Sequence, residues 1–357
     1  MNNLPKLINP GECDGGHVQG IAIDVKRGFA YFSFTTQFVK TDLSGNIIGS
    51  VVNLTGHLGC ISLADDGRVV GSLEYKSDSI GRGIAANLGT EIPKENAFYL
   101  VVFETDKINR PNINADGCEI MKAVLLPEPT RDYAEIDEAS GCEHRYGCSG
   151  IDGTGIGPEF GKPYGTENFV IVCYGIYSDE KRRDNDYQLI HSYPLSIFEE
   201  YGKPLSQSAL HKSGPQSAKN RYFLYTGNTT WGVQNLEYDP NSDLWFFAVY
   251  PGAKPEFSNF PTFTVRGSDA PKELLLRGRK GECGKVISTV GGEVCKSGLA
   301  SGYTFPLGST GIASIGGGYF YISHHKNRKG ENGRTYYSTD ATLYRHIDGS
   351  KDLFELV

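Results

Sequence analysis

The feature that most constrains this chain is a short phrase that recurs five times along it. HVQGIAID (His17 to Asp24), HLGCISLAD (His57 to Asp65), GCSGIDG (Gly147 to Gly153), GVQNLEYD (Gly232 to Asp239) and GSTGIASIGGG (Gly308 to Gly318) align on a small residue set just before a short apolar strand. Gly20, Gly59, Gly150 and Gly311 hold that position in four copies, and Asn235 holds it in the fifth. Most copies continue through a turn into a more aromatic strand: FAYFSF, RVVGSLEY, LWFFAVY and YFYISHH. In the third copy a Gly-rich stretch, TGIGPEFGKPYGTEN, reads as an insertion ahead of FVIVCYGIY. Self-similarity of this kind marks a repeat architecture, whose units bury their apolar faces only against one another.

Two further strands can be followed in each copy, making four per unit. They are FVKTDL and NIIGSVV in the first, FYLVVFETDKI and EIMKAVLL in the second, and YQLIHSYPLSIF and RYFLYT in the third. The fourth has FPTFTVR with KELLL or KVISTV, and the fifth TLYRHI and LFELV. No stretch has the helical period of a βαβ fold, and four-stranded antiparallel units repeated radially describe propeller blades. The expected fold class is therefore all-β: a single five-bladed β-propeller with four-stranded antiparallel blades, one domain over 1–357. Its blades fall at about 17–55, 56–140, 141–228, 229–305 and 306–357. A pair of β-sandwiches would share the strand content, but the repeated phrase favours the ring. Ring closure is left between two solutions, an added strand from the N-terminal KLI segment or blade-to-blade packing alone. Abundant glycine (45 residues), 11% aromatics and two methionines suit many short strands and tight turns.

The phrase GIAID…AYFSF resembles the blade-opening phrase of NHL-type propellers over roughly a dozen residues per blade, and that resemblance implies the fold alone. A five-bladed ring is also similar in fold to arabinanase-like and fructosidase-like glycoside hydrolases, which implies sugar substrates. The chain departs from their pattern, because His17 and Gln19 stand where an Asp is expected at the start of the first innermost strand.

A net charge of −7, with acids and bases mixed throughout, leaves no basic stripe for a nucleic-acid backbone. No apolar run approaches the ~18 residues of a membrane span, and MNNLPKLINPGECDGG lacks the regions of a signal peptide. Neither nucleic acid nor membrane is expected as a partner, and localisation leans cytoplasmic. The eight cysteines contain no CxxC pair. Cys142/Cys148 and Cys283/Cys295 are close enough in sequence to bridge in an exported protein, Cys118 stands apart, and Asn53 and Asn228 begin N-x-T triplets.

In a blade the start of the innermost strand lies beside the end of the second, so both face one rim. The connections on that rim are long and polar, whereas the turns at the other end are short, which makes it the ligand-facing side. Three histidines gather there, His17, His57 and His144, as candidate ligands of a divalent metal ion, with Glu74 as a carboxylate ligand. Histidines hydrogen-bonding loop backbones are the competing reading. Glu74, Asp152 and Glu237 are candidates for acid and base work on a glycosidic bond, against a solvated polar lining. Gln19, Arg145, Tyr146, Trp231, Gln234 and His324 are candidate contacts to a glycan or small-molecule ligand. Of His324 and His325 only one can enter the channel, since adjacent strand residues face opposite ways. The expected function is a carbohydrate-active hydrolase or lyase with a polar, metal-capable channel mouth; the alternative is a non-catalytic propeller that binds a glycan, small molecule or protein on the same rim.

Overall fold

Each repeat phrase becomes the innermost strand of a sheet, because its small, apolar residues are those that can crowd around a narrow axis. The computed structural model describes residues 4–117, 119–138 and 141–357, so Cys118 lies outside the described residues. Five sheets radiate from the axis. Blade one carries Val18–Asp24, Phe29–Phe34, Gln37–Asp42 and Ile47–Val52; blade two carries His57–Leu63, Val69–Tyr75, Ala97–Phe103 and Met121–Leu125. Blade three has Cys148–Pro158, Asn168–Ile176, Tyr187–Pro194 and Asn220–Tyr225, and blade four Thr229–Asp239, Leu244–Pro251 and Thr262–Arg266. Blade five has Ile312–Ser314, Tyr319–Lys329, Thr335–His346 and Phe354–Leu356. Successive strands within each blade pair antiparallel, as the alternation in the sequence requires.

The outer edges differ from the expected four strands. Ile113–Asn114, from the connection between the last two strands of blade two, pairs parallel with Ile47–Val52 of blade one. Lys203–Pro204, from the same connection in blade three, pairs with Met121–Leu125 of blade two. KELLL and KVISTV, expected to complete blade four, instead form Lys272–Leu275 and Cys283–Ile287 and extend the sheet of blade three beyond Asn220–Tyr225. Ile287 packs with Tyr222 and Leu224 and so ties Cys283–Ile287 to blade three, while Lys272–Leu275 is exposed throughout and follows as its antiparallel partner. Each of these straps covers the open edge of the preceding blade, a protection that edge strands need.

Blade five is covered the same way. Leu7–Ile8 pairs with Thr342 and Ala341, beside Phe354–Leu356 on the same strand, so the N-terminal segment does close the ring as an added strand. Leu343 N–H donates to the Lys6 carbonyl at 2.9 Å, and the Tyr321 hydroxyl to that of Pro5 at 2.6 Å.

The core follows from the ring. One apolar cluster fills each gap between neighbouring blades: Tyr31, Phe38 and Phe103 between one and two, Phe98, Tyr174 and Leu189 between two and three, and Trp245 and Phe247 with Ile171 between three and four. Phe246, Phe320 and Ile322 fill the gap between four and five, and Phe32, Phe34 and Tyr321 that between five and one. The stretch TGIGP, read as part of an insertion, is the second half of Cys148–Pro158. Its glycines are a packing device: a Cβ on Gly157 would stand 2.7 Å from the Trp245 ring. Gly157→Ala is therefore expected to cost about 1–3 kcal/mol through overpacking, read as a lower urea midpoint at unchanged slope.

Neither short cysteine spacing forms a bridge, since Cys148, Cys283 and Cys295 are free thiols. No helix among the described residues is long and apolar enough to cross a membrane.

Candidate functional site

His57 opens the innermost strand of blade two, and its antiparallel partner is Glu74. Opposed residues share a face, so imidazole and carboxylate both reach into the channel mouth. Lys76 lies two residues further on the same face, while Tyr75 turns the other way into the core. Asp152 comes from blade three, where the pairing passes from Ile151↔Tyr174 to Thr154↔Val172 and leaves two residues facing one. That bulge bends the strand and aims Asp152 at its neighbours across the blade boundary.

The result is a three-residue cluster. His57 Nδ1 lies 3.8 Å from Glu74 Oε2 and 3.6 Å from Asp152 Oδ1, and the three ligand-type atoms fall within 4.8 Å of one another. His57 is buried, yet its Nδ1 finds no hydrogen-bond partner among the described residues. Glu74 Oε1 accepts the Ile151 N–H, and Lys76 Nζ stands 2.6 Å from Glu74 Oε2. Gln234 Nε2 donates to Asp152 Oδ2 at 3.2 Å and to the Trp231 carbonyl at 2.9 Å. Gly150, the repeat glycine of blade three, sits at φ +142°, and a Cβ there would stand 1.9 Å from Glu74 Oε1. Only glycine leaves room for that carboxylate.

These groups line a cavity of about 220 Å³ together with His17, Gln19, Trp231 and Tyr250. Beneath it the fully buried Asn235 donates from Nδ2 to the carbonyls of Gln19 at 2.8 Å and Ser309 at 2.9 Å. Cys60 Sγ lies 3.2 Å from Asn235 Oδ1 and 3.3 Å from the Thr154 carbonyl. One amide and one thiol thereby join the innermost strands of blades one to four and the start of blade five across the axis.

Burial dominates the charges. It raises the Asp152 carboxyl well above the usual carboxylate range, and the nearby Glu74 charge pushes the same way. Burial also raises Glu74, opposed by Lys76. For Lys76 burial works against the charge, but Glu74, Asp78 and Asp152 outweigh it and hold the ammonium protonated. His57 is pushed down to about 3 by burial, then by Lys76 and His17. His17 falls to about 4 through burial and His325.

The other sequence candidates separate. His17, His57, Gln19, Glu74, Asp152, Trp231 and Gln234 meet at the mouth. His144 does not join the metal-type cluster: its backbone turns through φ +63°, its Nδ1 lies 2.5 Å from the Tyr133 carbonyl, and Tyr133 and Tyr177 flank its ring. Of the histidine pair, His325 faces His17 with ring centroids 4.0 Å apart, whereas His324 Nε2 bonds the Tyr344 hydroxyl at 2.9 Å. Arg145 and Tyr146 belong to an ionic cluster on blade three, where the guanidinium groups of Arg145 and Arg279 lie 4.8 and 4.4 Å from the Tyr146 ring centre and Glu282 accepts the phenol proton. Glu237 lies toward the opposite rim and bonds the Ser314 N–H at 2.9 Å, with burial pushing its carboxyl up to about 8. Lys76, Ser149 and Ile80 line the cavity without having been assigned a role from sequence. Alternation along LEYK already places Lys76 on the same rim as Glu74.

A further histidine bears on stability. His191 is fully buried, accepts the Arg221 Nε–H at 3.3 Å and is pushed down to about 3, chiefly by burial. The unfolded imidazole titrates near 6.5, so between those values the unfolded chain binds the extra proton. Stability is expected to fall as pH drops below about 6.5, by about 1.4 kcal/mol per pH unit for this group. Denaturation curves at pH 4 and 7 check it, with a shallower dependence for His191→Gln.

No protein-family model matches the chain, and no curated protein matches it in sequence. Among solved structures it is similar to a functionally unknown protein from Desulfotomaculum acetoxidans, at 8% identity over 95% of this chain and 68% of that one, with a TM-score of 0.36. It is also similar to the PQQ domain of a pyranose dehydrogenase from Coprinopsis cinerea (10% identity, 90% and 81% covered, TM-score 0.40). A gluconolactonase from Xanthomonas campestris follows at 8% identity, 92% and 86% covered and a TM-score of 0.28. At this level the likenesses bear on neither the site nor its chemistry.

Proposed function

We propose that this channel mouth is the active site of a carbohydrate-active hydrolase or lyase, with His57, Glu74 and Asp152 as the ligands of a divalent cation. The observation that carries this reading is the convergence of the three groups with the buried His57 Nδ1 left without a partner. One imidazole and two carboxylates suit a divalent transition metal with coordination positions left for water and substrate. Such an ion would polarise a substrate oxygen or lower the pKa of a bound water. Glu74 stands against the Lys76 ammonium and Asp152 against the Gln234 amide, and unequal surroundings are the condition for dividing base and acid roles between two carboxyls. Trp231 and Tyr250 give the wall aromatic surface suited to a sugar face, and Gln19 and Gln234 supply amides for hydroxyl groups. The cavity of about 220 Å³ suits a small ligand such as one sugar unit.

The test is elemental analysis of the purified protein, joined to a product screen on neutral and uronate-containing glycans with and without Mn²⁺ and Zn²⁺. Hydrolysis is read as new reducing ends and elimination as the ultraviolet absorbance of an unsaturated product. Near-stoichiometric metal with metal-dependent product supports the reading. A protein that retains no ion and releases no product, yet binds a glycan, belongs to the alternative class of non-catalytic binder.

A further inference from the structure

Both oxygens of Glu74 are already engaged. Oε1 takes the Ile151 N–H, and Oε2, the atom that faces His57 Nδ1, is contacted by the Lys76 ammonium. Lys76 is 4% exposed and also donates to the Ser149 carbonyl at 3.0 Å. A second carboxylate waits close by. Asp78 Oδ2 lies 3.7 Å from the same ammonium, while Asp78 Oδ1 caps the helix Ser79–Leu88 by accepting the N–H groups of Ile80 and Gly81 at 3.0 Å.

We propose that Lys76 is a built-in competitor for the cation site: its ammonium neutralises Glu74 when no metal is bound and moves toward Asp78 when a divalent ion takes Glu74 Oε2. The inference rests on the metal reading above. A buried carboxylate without a counter-charge is costly, so the ion-free site needs an internal cation. The same positive charge, held beside the ligand atoms in a medium of low dielectric, opposes a divalent ion. Lysine suits such an exchange, being a point charge on a flexible stem. The movement would carry the ammonium toward the start of the helix that places Ile80 on the cavity wall, so metal entry and the shape of the mouth are joined. The site then binds metal exchangeably instead of holding it permanently.

The experiment is calorimetric titration of the full chain with Zn²⁺ and with Mn²⁺, comparing wild type, Lys76→Met and Asp78→Asn. Asn keeps the helix cap and removes only the receiving charge. Lys76→Met is expected to bind at least tenfold more tightly and Asp78→Asn more weakly. Wild type and a folded Lys76→Met binding equally, or the variant binding less well, overturns the competition and leaves the metal reading standing. Metal bound by Lys76→Met alone supports the competition and removes a resident metal from the native protein. No binding by either overturns both. If Lys76→Met does not fold, Lys76→Gln, which keeps a donor for Ser149, takes its place under the same outcomes.

Discussion

Asp152→Asn is expected to lower metal affinity by at least about 100-fold and product formation by about 10³-fold, while leaving the melting temperature close to that of wild type. Asp152 gives one oxygen to the space in front of His57 and the other to Gln234. Asn keeps the shape and a carbonyl oxygen for Gln234, so the strand bulge and the wall stand. What it removes is a negative ligand and a group able to give or take a proton. Gln234→Ala separates these effects. It withdraws the amide that orients Asp152 and bonds the Trp231 carbonyl but leaves all three ligand side chains, and orienting partners of this kind are worth about 10- to 100-fold in metal affinity. An order in which Asp152→Asn harms more than Gln234→Ala, and both more than Gln19→Ala, fits a metal-bearing catalytic pocket. Equal, shallow losses in ligand affinity with no turnover in any variant fit a binder instead. The readouts are isothermal titration with Zn²⁺ and the product screen.

Ile8→Asp is expected to destabilise the ring by about 4 kcal/mol, lowering the melting temperature by roughly 5–10 °C. Ile8 is fully buried against the blade that closes the circle, and a carboxylate there has no counter-charge. Leu7, its neighbour in the same two-residue strand, is 46% exposed. Leu7→Asp therefore costs less than about 0.5 kcal/mol. Two adjacent substitutions of the same kind, differing tenfold in effect, test whether the short pairing with Ala341 and Thr342 is a true closure or a surface attachment. Thermal melts of the two variants decide it, and equal melting temperatures count against closure.

The parts of this fold that show in the sequence are those where a side chain meets a steric or apolar demand. The repeat glycines show because innermost strands crowd the axis, and FAYFSF or LWFFAVY because they fill the gaps between blades. Outer strands show poorly. Lys272–Leu275 is held by edge hydrogen bonds and has no buried face, so its pattern does not say which blade it joins. TGIGP reads as a loop only when its partner, Trp245, is out of view. At the site, His57 and Glu74 are legible because their places at strand ends on one rim follow from the repeat, whereas Asp152 lies within its strand and is aimed at them by a bulge that the sequence does not show. His144 shares the rim in sequence, but a positive φ turns its ring to the Tyr133 carbonyl, and nothing in the residue's identity announces that turn. The exceptional Asn235 is visible as a broken glycine rule, and its reach across the axis only in three dimensions.

The straps that cover the outer edges of blades one to three also set a timetable. A chain emerging from the ribosome completes the strands Gln37–Asp42 and Ile47–Val52 while their edge still lacks Ile113–Asn114. The edge of blade two likewise waits for Lys203–Pro204, and that of blade three for Lys272–Leu275 and Cys283–Ile287. Blades one to three are thus born with a bare edge that a later segment shields, the condition under which a half-made β-protein is open to wrong pairing. Leu7–Ile8, made before all of them, stays unpaired until Thr335–His346 exists, so the last closure waits on nearly the full length of these five blades.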